Sequence, residues 1–99
     1  MLLRERETER GLLVSVCDPD LLGRTFESGD VSLTVEESFY GGDDAVEADA
    51  DAVVAGLQRA VVANLVGEES VGVAVEADII DEETVLDIGG TRHAQLLRI

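Results

Sequence analysis

The chain has no lysine, no tryptophan, one cysteine, one histidine and one proline in 99 residues. Each scarcity excludes something. A lone Cys17 rules out an internal disulfide and every paired-cysteine zinc or redox motif. With only Phe26, Phe39 and Tyr40 as aromatics, the core has to be aliphatic. No apolar run approaches the roughly 18 residues that span a bilayer. Met1–Arg6 is too short and too charged for a signal peptide, so the expected location is cytoplasmic. The patterns GxGxxG, GxxxxGK[ST] and GxSxG are missing. Asp49-Ala50-Asp51 opens like a calcium loop, but Val53 and Val54 stand where an oxygen ligand and a glycine are required. No metal and no cofactor is expected.

What is present is negative charge. Twenty-two Asp and Glu against seven Arg give a net charge of −15. In dilute buffer such a surface repels itself. At 1 M salt the Debye length falls to about 3 Å, and the same surface is tolerable. The composition therefore describes an environment of concentrated salt. It leaves the partner open, because in such an environment proteins that bind RNA are acidic as well. Apolar residues make up 45% of the chain, which separates it from disordered acidic sequences. The length fits a single domain spanning residues 1–99.

Leu2–Glu7 reads as an edge strand and Gly11–Cys17 as its hairpin partner, with Leu12, Val14 and Val16 on one face. Asp18-Pro19-Asp20-Leu21-Leu22-Gly23 spells one helical turn, with Asp18 as its cap. Arg24–Glu27 and Val31–Val35 form a second pair of short strands. Residues 36–48 read as a loop, and residues 50–65 as the main amphipathic helix, with Asp49 as its cap and Asn64 on the apolar stripe. Residues 68–80 fit a strand and a helix about equally. Thr84–Ile88 and His93–Ile99 are strands joined through Gly89-Gly90. The order of elements predicts an α+β domain: an antiparallel sheet of hairpins with about two helices on one face.

Four places depart from the acidic rule. Arg92 and His93 form a basic pair beside the Gly89-Gly90 turn, and the imidazole can serve as a base or bind an anion. The plainer role of His93 is that of an ordinary strand residue. Cys17 stands at a strand end, as a nucleophile if His93 activates it or as a small buried apolar residue if not. Asn64 must find hydrogen-bond partners wherever it is buried, which suits a structural tether or a ligand contact. Phe39-Tyr40-Gly41-Gly42 puts two aromatics in a loop, as a hydrophobic plug or as a stacking surface.

The segments Cys17–Gly23, Phe39–Gly42, Ala63–Gly67 and Ile88–Gln95 resemble, in order, an archaeal family known as domain of unknown function 424. The acidic composition resembles that of its haloarchaeal members. The resemblance implies a helix over residues 68–80 and marks Asp43–Asp51 as an acidic elaboration. It brings no activity with it.

Together these features lean away from an enzyme. They suggest a binding or accessory module, with protein or RNA as partner, serving ribosome or translation machinery. Its contact residues would be Phe39, Tyr40, Gly41, Gly42, Asn64, Gly89, Gly90, Arg92 and His93. The alternatives are a small enzyme with a Cys17/His93 nucleophile–base pair, and a structural subunit or homodimer using Leu2–Glu7. Membrane association is not expected.

Overall fold

The computed structural model describes residues 1–98; Ile99, the last residue of the expected final strand, lies outside the described residues. The elements are β1 (Leu2–Thr8), β2 (Gly11–Cys17), β3 (Thr25–Ser28), β4 (Val31–Thr34), α1 (Glu37–Tyr40), β5 (Val46–Glu47), α2 (Ala50–Arg59), β6 (Val62–Val66), α3 (Glu68–Glu76), β7 (Leu86–Ile88) and β8 (Thr91–Leu97). Single 3-10 turns cover Pro19–Leu21 and Glu82–Thr84.

Six strands form one sheet in the order β5–β1–β2–β6–β8–β7, and β3–β4 form a separate hairpin. The α+β class is as expected. The sheet is mixed, because β2 and β6 run parallel while its other pairs are antiparallel. A parallel pair needs a long crossover. Here that crossover carries everything from the Pro19 turn to the end of α2.

The predicted helix over 50–65 is wrong in its second half. It stops at Arg59, and Val62–Val66 becomes a central strand. Ala60 turns the chain to extended geometry at ψ 143°. The guanidinium of Arg98 then donates to the carbonyls of Leu57 (2.7 Å) and Ala60 (2.8 Å), taking up acceptors that a longer helix would have used itself. A strand with neighbours on both sides and largely apolar on both faces has no clean alternation. The Val61-Val62-Ala63-Asn64-Leu65-Val66 run therefore imitated a helical stripe. The expected loop over 36–48 holds a one-turn helix and the two-residue β5, which pairs with Leu2 and Leu3. β1 is thus an edge strand only beyond Leu3.

Residues 68–76 are helical, as the family resemblance implied. The cap of α3 comes from far away in sequence. Asp18 makes no side-chain cap to its own turn, contrary to expectation. Its carboxylate instead accepts from the backbone N–H of Glu69 (3.1 Å) and Ser70 (2.9 Å) and from the Ser70 hydroxyl (2.7 Å). Gly67 makes this approach possible. It sits at φ +114°, and a Cβ there would collide with the Asp18 carboxylate.

Both sheet faces carry apolar side chains. On one face Val14, Val16, Ala63, Leu65 and Ala94 pack under Val53 and Leu57 of α2 and Val71 and Ala74 of α3. On the other, a smaller cluster of Cys17, Val66, Leu21, Val35 and Tyr40 covers one end. The α1 turn and the β3–β4 hairpin supply its lid.

Candidate interaction face

The strand registers define what lies on that second face. Pairing sets Leu2, Cys17, Val66 and His93 in one row across β1, β2, β6 and β8. The next row is Arg4, Ser15, Asn64 and Gln95, and the third is Arg6, Leu13, Val62 and Leu97. On these four strands the three rows hold no aspartate or glutamate, on a chain with 22 of them; Glu47, paired with Leu2, stands at the β5 edge of the first. The alternation of β1 explains the sorting: Arg4 and Arg6 point to this face, and Glu5 and Glu7 point away.

The first row is covered by the smaller cluster. In the second, Ser15 is buried and Arg4 is bonded to α1 carbonyls, so the open part of the face is Asn64 and Gln95 together with the aliphatic members of the third row. Leu13 and Val62 are half-buried and Leu97 is 67% exposed, and none of the three joins either core. Beside them the Gln95 amide donates to Asn64 Oδ1 at 2.9 Å. Arg4 donates to the carbonyls of Ser38 and Phe39 and lies 3.8 Å from Asp44. The Arg6 guanidinium stacks over the Phe39 ring, 4.9 Å from its centroid. It has no carboxylate partner among the described residues. Arg4 Nε, Arg6 Nε and Ser15 Oγ are buried without a hydrogen-bond partner, and all three belong to this face.

The expected site residues do not converge on it as a group. Asn64 does lie there, on a strand instead of a helix, tethered to Gln95. Phe39 stands at its rim beneath Arg6. Tyr40 is the plug: it is buried against Cys17 and Val66, edge-on to Phe39 at 5.0 Å, and burial lifts its phenol to a pKa of about 12. Gly41 is buried against Leu22, while Gly42 forms an exposed turn at φ +94°. Gly89 abuts the backbone of Glu27, where a Cβ would come within 2.8 Å of its N and O, so this turn docks the β3–β4 hairpin. Gly90 donates its N–H to Asp87.

Arg92 and His93 do not act as a pair. Adjacent strand residues face opposite ways. Arg92 turns toward Glu82 (2.6 Å) and Glu68 (4.0 Å) and is neutralised there. His93 turns to the second face, half-buried, and loss of solvent lowers its pKa.

Cys17 and His93 share a row with Val66 between them. Two strand spacings place their backbones about 10 Å apart. Burial, and then the nearby Asp18 carboxylate, push the Cys17 thiol up to about 11. A nucleophile needs the opposite shift. The nucleophile–base pair is therefore not assembled. No cluster of three or more metal-ligating side chains occurs among the described residues, and no helix among them is long and apolar enough to cross a membrane.

Sequence reasoning missed Arg4, Arg6, Ser15 and Gln95, and the aliphatic row beside them. The Arg4-Glu5-Arg6-Glu7 alternation was the available signal, since it sorts charge by face in a strand.

The architecture recurs in a solved structure, the crystal structure of an uncharacterized conserved protein from Methanopyrus kandleri. It is 29% identical, with a TM-score of 0.75 over 99% of this chain and 93% of that one. No curated protein matches the sequence. Three of the segments that carry the family resemblance meet in space: Asp18 approaches Gly67, and Tyr40 packs in one cluster with Cys17 and Val66. The sequence matches the family described as "Protein of unknown function (DUF424)" over residues 5–99, and the chain belongs to that archaeal family.

Proposed function

We propose that this protein is a non-enzymatic binding module, and that the uncovered part of the second sheet face is its contact surface. One observation carries the reading. On a chain of charge −15, the second face leaves Asn64, Gln95, Leu13, Val62 and Leu97 without a lid, and their two rows hold no carboxylate on the four central strands. A solvated face of an acidic protein has no reason to exclude carboxylates. A surface that loses its water on binding does, because an unpaired buried charge is costly.

The composition and the family support the setting in a finer reading, and the role in it extends the binding-module reading. The protein works in the cytoplasm of a salt-loving archaeon, as an accessory of ribosome or translation machinery. Capture at molar salt tests it, comparing the natural chain with Leu97→Asp, which plants a charge in the aliphatic row. Ribosomal proteins or RNA, identified after capture by the natural chain and lost with the variant, are the expected result. Equal capture by both chains overturns the face, and the absence of any ribosomal component overturns the link to translation.

A further inference from the structure

The second face also restricts the kind of partner. We infer that it docks a protein segment bearing carboxylates and aliphatic side chains together, a deepening that rests on the binding-module reading.

Charge complementarity gives the first half. Arg4 and Arg6 stand two residues apart on β1; Arg4 is engaged by the Ser38 and Phe39 carbonyls and lies 3.8 Å from Asp44, while Arg6 has no carboxylate partner among the described residues. Arg6 is held by a ring, not by an acid. The three buried polar atoms left without partners, Arg4 Nε, Arg6 Nε and Ser15 Oγ, are hydrogen-bond capacity the chain does not use itself. Each can donate, and a carboxylate accepts. The Asn64–Gln95 pair adds capacity, since its bond uses one amide hydrogen and one oxygen and leaves the Asn64 amide nitrogen and the Gln95 oxygen for a partner.

The aliphatic row gives the second half. Leu13, Val62 and Leu97 sit on neighbouring strands as a continuous apolar strip. It lies next to the cationic end of the face, so an occupant needs both chemistries within a short stretch.

RNA fits less well. Even with Arg10, which borders Val62 and Leu97, the face offers too few guanidinium groups to neutralise many phosphates. The one aromatic at the rim, Phe39, is already covered by Arg6, so no base-stacking platform is free. A second copy of the chain brings another −15 but, on this same face, more arginine and no carboxylate to meet it.

The test uses the full chain at molar salt and a display library of random 12-residue segments. Binders are selected on the natural chain and then compared on Leu97→Asp, where weaker binding is expected. The expected binders combine Asp or Glu with Val, Leu or Ile, and bind Arg6→Gln at least tenfold more weakly. They shift the backbone resonances of Leu13, Asn64 and Gln95. Enrichment in Lys or Arg overturns the inference, because Leu97→Asp would then not repel the binder and Arg6 would not matter. So does unchanged binding to Arg6→Gln, when that variant keeps the natural chain's spectrum; if it does not, Arg6→Lys replaces it, with the same tenfold loss expected. A 12-residue RNA that moves the same resonances, or a dimer that Leu97→Asp dissolves, assigns the face to another occupant and overturns it too. Failure of every peptide to bind, while cellular capture remains sensitive to Leu97→Asp, sinks the segment chemistry and leaves the binding-module reading standing.

Discussion

The two faces of the central sheet carry similar numbers of strand residues and meet different fates. The face under α2 and α3 is closed: Val14, Val16, Ala63, Leu65 and Ala94 are at most 3% exposed, and aliphatic partners from both helices fill the space above them. The other face is closed at one end only. There Cys17 and Val66 lie under Tyr40 and the β3–β4 hairpin, and two positions further on the cover still reaches Ser15 but leaves Asn64 half-buried and Gln95 exposed. The first face is the source of stability. The second shows that a sheet can be buried at one end and left unfinished at the other, with charge sorted so that the unfinished part stays free of acid.

A truncation under the helices gives the largest expected effect. Leu57 is fully buried at the centre of the main cluster. Leu57→Ala should cost about 3 kcal/mol, within the usual range for a core leucine that leaves a cavity. Denaturant unfolding at molar salt measures it. A cost below about 1 kcal/mol would mean that α2 is not a structural lid and that the two faces are not as unlike as they look.

Asp18 comes next, because it ties the end of β2 to the start of α3. Asp18→Ala removes three hydrogen bonds and leaves the buried Ser70 hydroxyl without its acceptor. The expected loss is about 2 kcal/mol. Asp49→Ala removes an ordinary local cap, the single bond from the Ala52 N–H, and should cost about 1 kcal/mol. If the two variants unfold at the same denaturant concentration, the long-range cap adds nothing to a local one.

These residues also show what a single sequence conceals. The local elements were readable. The β1–β2 hairpin, the glycine-linked β7–β8 pair and the Asp49 cap all follow from period-two patterns and cap chemistry acting over a few residues. What failed was non-local. Asp18 stands before Pro19 with every local sign of capping that turn, and its carboxylate crosses to a helix 50 residues on. Val62–Val66 is central to the sheet, and a strand buried on both sides has no polar phase to reveal its period. Arg92 and His93 were read as one basic site, although the strand that carries them was itself expected, and period two sends neighbours to opposite faces. The carboxylate-free rows appear only when registers are known, because their members come from four strands spread over residues 2–97.

His93 tests the covered end of the second face. Burial lowers its pKa below the ordinary 6.5, so the folded chain holds the neutral ring more readily than the unfolded chain does. Its contribution is therefore complete above about pH 6.5. It is lost as pH falls from there toward the folded value, because the unfolded state takes up the proton first. Stability measured between pH 7.5 and 5.5 should decline slightly on acidification. His93→Gln should flatten that slope before the carboxylates begin to titrate. A slope unchanged in the variant would mean that the ring is solvated and that the lid over Cys17 and Val66 ends before it.

The smallest expected effect on stability falls on the open part of the second face, where the two faces part most clearly. Leu97 is 67% exposed and belongs to neither core, so Leu97→Asp should change unfolding free energy by no more than about 0.5 kcal/mol. The new carboxylate would share its row with Val62, Leu13 and Arg6, none of them acidic, so no like charge in the row penalises it. A loss of 2 kcal/mol or more would place Leu97 in the folding core and remove the distinction between the faces. A near-zero change, together with lost capture of a partner, separates the two roles. Side chains under the helices would then hold the fold, and side chains in the open part of the other face would serve what the fold presents.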